Sequence, residues 1–201
     1  MKKFFLILSI VISHFSLSLA QSDAKSVLDK CAAKVSAKQG ITADFRMESV
    51  QYGNTSGTIA VKGKMFHATT PVATMWFDGK TQWTYLKKNN EVSVTTPTES
   101  QLQALNPYNF INMYKKGYNY TMTTSASAFN VHLTATDATR KVQELFITID
   151  KNGYTPKEVK MRQGTKWTLF VIDHLKAGNL ADAEFQFSSK DFPTAEVIDL
   201  R

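Results

Sequence analysis

Cysteine is nearly absent. The 201 residues contain one, Cys31, so no disulfide can close within the chain. There is no Gly-x-Ser-x-Gly elbow, no His-Glu-x-x-His, no Cys-x-x-Cys and no glycine-rich phosphate loop. Beyond the first twenty residues only His67, His132 and His174 remain, and none has a ligand partner at helical spacing. Asp173 and His174 are neighbours, and neighbours on a strand point to opposite faces, so they do not make a dyad. Carboxylates such as Asp44, Glu48, Asp78 and Glu91 fall at turns or on polar strand faces, with no acid–base pairing among them. The expectation is a protein that is not an enzyme and needs no cofactor or metal. Linkers, internal repeats and low-complexity tracts are also missing.

The first twenty residues read as an export signal. Lys2 and Lys3 give the positive start, Phe4 to Ser18 the apolar middle, and Ser18-Leu19-Ala20 a small-x-small cleavage site before Gln21. The apolar run is short and broken by serines and His14, which suits a cleaved signal better than a membrane span. Cys31 lies too far beyond the cleavage point to carry a lipid anchor. Removing the first twenty of 201 residues leaves 181, the size of one domain with a substantial core, over residues 21–201. The expected location is the periplasm.

Losing Lys2 and Lys3 takes the net charge from +7 to +5. The remaining basic residues, among them Lys34, Lys62, Lys87, Lys115, Lys141, Lys160 and Lys166, are scattered along the sequence. A nucleic-acid footprint clusters its charge, so no nucleic-acid partner is expected. Dispersed basicity is ordinary for a solvated surface, and it also suits passing contact with anionic lipid.

The patterning is dominated by strands. Asp23 or Ser22 caps a helix whose apolar stripe is Ala24, Val27, Leu28, Cys31 and Val35, with Gly40 to stop it. Ile41, Ala43, Phe45 and Met47 alternate with Thr42, Asp44, Arg46 and Glu48. Further strands follow around Ile59 and Val61, from Met65 to Pro71, and from Val72 to Phe77. The Asp78-Gly79 turn leads to Trp83 and Tyr85, which face one way, and then to Val92 and Val94. From Thr98 to Lys116 two short helices interrupt the sheet; the second is oily almost all round, with Tyr108, Phe110, Ile111, Met113 and Tyr114. Strands resume at Tyr118–Met122, Phe129–Leu133, Leu145–Ile149, Val159–Met161, Trp167–Val171 and Phe185–Phe187.

About ten or eleven antiparallel strands, one leading helix and a helical insert predict a mainly β (α+β) fold. Its single, strongly curved sheet forms an unclosed barrel with helices over the mouth. Met47, Met65, Met75, Met113, Met122 and Met161 are spread over several elements, as the lining of a pliable apolar pocket would be. Each aromatic also suits a plain core position.

Several strings, in order, resemble the LolA/LolB-type lipoprotein localisation family. They include Ala43-Asp44-Phe45, the Gly57 to Phe66 stretch, and Asp78-Gly79-Lys80-Thr81 before Trp83 and Tyr85. Asn106-Pro107-Tyr108, Phe146-Thr148-Ile149-Asp150 before Gly153, and Phe185-Gln186-Phe187 with Pro193 and Val197-Ile198-Asp199 continue the likeness. The resemblance covers essentially everything after the signal. It implies a monomeric periplasmic chaperone that holds the acyl chains of lipoproteins in an apolar cavity. An inner-membrane ABC transporter would load it, and an outer-membrane acceptor, or the outer membrane itself, would unload it. Burying about fifteen CH₂ groups of one acyl chain is worth roughly 12 kcal/mol gross, so release favours an imperfect pocket.

By the same resemblance, Phe66 matches an aromatic near the cavity mouth, and Phe110, Ile111, Met113 and Tyr114 match the lid helix. Trp83 and Tyr85 match lining positions. Phe45, Met47, Ile59, Val61, Met75 and Leu102 complete the expected cavity. One departure stands out. Where the family has an arginine followed by proline, thought of as a lid latch, this chain has Lys62-Gly63-Lys64-Met65; a lysine cannot reproduce the bidentate geometry of a guanidinium. A carrier of another lipid, or an envelope-stress sensor on the same scaffold, remains open at this point.

Overall fold

The computed structural model describes residues 23–36, 38–98 and 113–201. The signal at 1–20 lies outside them, as does most of the insert. Helix α1 spans residues 23–35. Its stripe is buried as patterned, with Ala24, Leu28 and Cys31 at 0% exposure. Gly40 ends the connection with φ +92, a conformation that a side chain would strain.

Twelve strands form one sheet. In chain order they are β1 (Ile41–Ser49), β2 (Thr55–Lys62), β3 (Met65–Thr69), β4 (Ala73–Phe77), β5 (Gln82–Leu86) and β6 (Glu91–Thr95). After the insert come β7 (Tyr118–Thr124), β8 (Ala128–Ala135), β9 (Glu144–Asp150), β10 (Pro156–Gln163), β11 (Lys166–Ala177) and β12 (Glu196–Asp199). Their spatial order is β12-β6-β5-β4-β3-β2-β1-β11-β10-β9-β8-β7. β12 and β7 therefore end the sheet without meeting, and the barrel is not closed. Nine of the junctions are antiparallel hairpins; two join strands distant in sequence, β11 beside β1 and β12 beside β6.

The pairing fixes a single inner face. Phe45 lies opposite Ile172, Val61 opposite Phe66, Phe66 opposite Phe77, and Val159 opposite both Phe170 and Ile147. Following that register outward, Leu145, Val131, Leu133 and Tyr118 share the face. These residues and the stripe of α1 make one buried cluster, so α1 lies against the inner face. Fully burying one such side chain contributes roughly 1.5–3 kcal/mol, which is why the helix docks there without any cross-link.

Two features depart from the sequence pattern. Phe185–Phe187 is not a strand: Asp182–Phe185 is a 3₁₀ turn, with Glu184 accepting from the Ala181 backbone N–H at 2.9 Å. The twelfth strand is Glu196–Asp199, which pairs with β6 in parallel. The segment between them crosses the outer face of β3–β5. There Phe185 is buried at 0% exposure, and Trp76 makes edge contacts with Phe187 and Phe192 at 5.6 and 5.5 Å.

Candidate functional site

The inner face brings together most of the expected cavity residues that fall within the described part of the chain. Phe45 and Met47 on β1 and Met75 on β4 are half-buried and pack against the core, as does Met113, which follows the insert. Ile59 and Val61 on β2 are buried beneath them. Phe66 is at 0% exposure, tilted against Phe77 with ring centroids 5.5 Å apart, so it is a core residue in this arrangement. Tyr120, Met122 and Phe129 add further half-buried apolar surface on β7 and β8. Met122 is among the methionines that the sequence offers as pocket lining; Tyr120 and Phe129 are not site residues in that reading, although their alternation with polar neighbours marks them.

Tyr114 is 3% exposed and its hydroxyl donates a short hydrogen bond to Asp29 of α1. Burial, and then that contact, push its phenol above the usual range. Asp29 also accepts from Lys25 at 2.7 Å, and these two partners hold its carboxyl below the ordinary value. The end of the insert is thus tied to α1 by a phenol–carboxylate contact. Leu102, Phe110 and Ile111 lie outside the described residues.

Trp83 and Tyr85 are a correction. Phe77 pairs with Gln82 and Met75 with Thr84, so Gln82 and Thr84 are the residues of β5 that face inward. Trp83 and Tyr85 alternate onto the outer face, where Trp83 lies opposite Trp76 and Tyr85 meets Phe192 at 4.6 Å. They belong to a second apolar cluster, under the C-terminal segment, and do not touch the inner face. Gln82 is 8% exposed and its Oε1 has no hydrogen-bond partner among the described residues. It is the inner face's one unmatched polar acceptor in that set.

Among the described residues, the Lys62-Gly63-Lys64 turn meets the C-terminal segment. Gly63 adopts φ +60 with open space around it, and Lys62 reaches outward to the Leu180 carbonyl at 2.7 Å and to Asp182 at 2.8 Å. It ties down the C-terminal segment.

Among the described residues, two of the histidines make separate contacts with carboxylates. His132 and His174 each meet a carboxylate on a neighbouring strand, Glu144 and Asp44, both at 2.8 Å. Those partners lie 12 and 130 residues away across strand pairings, which is why helical spacing did not reveal them. A bulge places His174 at φ +51. Beside it a cleft of about 550 Å³ is lined by Thr42, Ala43, Asp44, Thr58, His174 and Lys176. Its charged walls face outward, and burying methylenes there would strip water from Asp44 and Lys176 without replacement. Cys31 is buried, which pushes its thiol up to about 12. Among the described residues no cluster of three or more His, Cys, Asp or Glu could hold a metal, and no helix is long and apolar enough to cross a membrane.

The family model described as "Outer membrane lipoprotein carrier protein LolA" matches residues 13–165. No curated protein sequence matches the chain significantly. Among solved structures, an uncharacterized conserved protein from Thermus thermophilus superposes with a TM-score of 0.60 at 12% identity, covering 88% of this chain and 99% of that one. MucB superposes with a TM-score of 0.52 at 12% identity, covering 88% of this chain and 66% of MucB. A LolA superfamily protein from Nitrosomonas europaea gives 0.45 at 10% identity, over 82% and 97% of the two chains. At such identities the likeness is one of fold.

Proposed function

The chain belongs to the LolA family of outer membrane lipoprotein carriers, and from that premise we propose that it carries acylated lipoproteins through the periplasm, with their acyl chains held against its inner face. The signal-like first twenty residues support export, and residues 21–201 would be the mature, monomeric carrier. An inner-membrane ABC transporter is the proposed donor and an outer-membrane acceptor, or the membrane itself, the proposed destination. No chemistry on the cargo is required.

One observation supports this reading above the others. Half-buried Phe45, Met47, Met75, Met113, Met122 and Phe129 all pack against one continuous apolar cluster that is otherwise fully buried. Methionine side chains re-pack cheaply around a flexible chain. The remaining exposed area on these residues is apolar surface that an acyl chain would take from water at roughly 25 cal/mol per Å².

The fold alone also fits a lipid carrier or a sensor. MucB, which shares it, is known in complex with MucA. Native mass spectrometry of the protein released gently from its own host's periplasm separates the readings. A bound species with the mass of a polypeptide plus an acylglyceryl group is the expected result. Free lipid alone would replace the cargo assignment with lipid carriage, and an empty protein would overturn both.

A further inference from the structure

Lysines and arginines that look scattered in the sequence gather at one end of the sheet. Thr136 N–H donates to the Gly117 carbonyl at 3.1 Å, which sets Lys116 beside the loop between β8 and β9, where Arg140 and Lys141 lie. Arg140 covers Gly117 and sits 5.2 Å above the Tyr118 ring. Gln143 N–H donates to the Arg162 carbonyl at 3.0 Å, and Gln163 pairs with Lys166 across the next hairpin. Asp137 and Glu144 are the only carboxylates among these loop and strand-end positions, and Glu144 is already paired with Arg162 at 2.9 Å.

The adjoining outer face is aromatic. Phe146 is 39% exposed and stacks on His132 at 4.2 Å, and Trp167 lies 6.0 Å from Phe146. Lys160 Nζ sits 4.8 Å above the Trp167 ring and the Arg162 guanidinium 5.8 Å from it. Unlike Trp76 and Tyr85, these rings have no C-terminal segment over them.

We propose that this end of the sheet, with Phe146 and Trp167 and the cations Arg140, Lys141, Lys160 and Lys166, docks onto the headgroups of an anionic phospholipid bilayer. Aromatic rings partly open to water, with the Lys160 ammonium over one of them and further cations nearby, match the composition of a membrane interface: rings at headgroup level, ammonium groups on phosphate. Such a surface holds the protein transiently, because each lysine near an anionic surface adds only about 1 kcal/mol and acts within a Debye length of about 8 Å. It would set the carrier on the bilayer from which acylated cargo is drawn. Only that purpose rests on the carrier reading; the contact stands on the surface itself.

The test is co-sedimentation of the purified protein with vesicles of phosphatidylglycerol mixed into phosphatidylcholine, against vesicles of phosphatidylcholine alone. Binding is expected only to the mixed vesicles and is expected to fall with added salt. The Lys160→Ala, Lys166→Ala double variant should bind roughly thirtyfold more weakly, at about fivefold per lysine. Phe146→Ser should weaken binding without changing its salt dependence. An acyl-probe displacement assay on the same variants should be unchanged, so a failed docking surface and a failed carrier reading give different results. Equal binding to both vesicles, or binding indifferent to these substitutions in variants with unaltered thermal unfolding, would overturn the proposal. So would retention on immobilised polyglutamate with none on the mixed vesicles, which would assign the surface to an acidic protein.

Discussion

Glu144 is held from two sides. Arg162 Nε donates to one carboxylate oxygen at 2.9 Å and His132 Nε2 lies 2.8 Å from the other. The Arg162 contact first, against a burial penalty, holds the carboxyl below its ordinary 4.5. A carboxylate with a lowered folded value stabilises the fold at pH above 4.5, and that contribution fades as pH falls through the folded value. Glu144→Gln should therefore lower the urea midpoint at neutral pH, and the gap to the wild type should close on acidification below 4.5. A gap that stays constant across that range would mean that ionisation of Glu144 does not matter. Such cross-strand partners are invisible to local spacing, and so is the face that a residue takes in a strand covered on both sides. Met75, Trp76 and Phe77 are consecutive and all apolar, so β4 offers no alternation to read. That is why Trp83 and Tyr85, one strand further on, could not be assigned to the outer face from the sequence alone.

At the scale of elements, β1 shows what alternation can carry. Ile41, Ala43, Phe45 and Met47 face inward as patterned, and α1 buries the stripe read from its spacing. β12 shows the limit, because Glu196–Asp199 has four exposed residues and pairs only through a contact made across the fold. The β2–β3 pairing rests on a close approach. A Cβ on Gly57 would sit 1.9 Å from the Thr69 carbonyl oxygen and 3.3 Å from Phe45 Cε1. Backbone cannot swing aside as a side-chain tip does, so Gly57→Ala should cost about 1–3 kcal/mol or more. Urea unfolding that matches the wild type would show that the hairpin can spread freely. The C-terminal segment offers the complementary case. Phe185 is fully buried on the outer face, with Trp76, Phe187 and Phe192 clustered on the same side. Phe185→Ala should cost about 3–5 kcal/mol. Acyl-probe affinity, measured below the lowered melting point, should be unaffected, because the sheet lies between this cluster and the inner face. A parallel loss of affinity would mean that the two faces are coupled.

For the whole molecule, the open sheet divides apolar surface into two kinds. On the outer face of β3–β5 it is sealed by the chain's own C-terminal segment. On the inner face, among the described residues, α1 covers part of it and Met47 and its neighbours are half-buried. A ligand that binds the folded state alone stabilises it by mass action, by about 2.7 kcal/mol at a free concentration one hundred times its Kd. For a chain of this size that corresponds to a rise in Tm of roughly 5–10 °C. A diacylated lipopeptide should produce such a rise in the wild type, and the unacylated peptide should not. Met47→Glu should abolish the rise, since a carboxylate against methylenes must either strip its water or exclude the chain. Tyr85→Ser should lower the starting Tm and keep the rise, because its ring lies on the sealed face against Phe192. Should Tyr85→Ser lose the rise while Met47→Glu keeps it, the acyl chain would have to be placed on the outer face and the roles of the two surfaces exchanged.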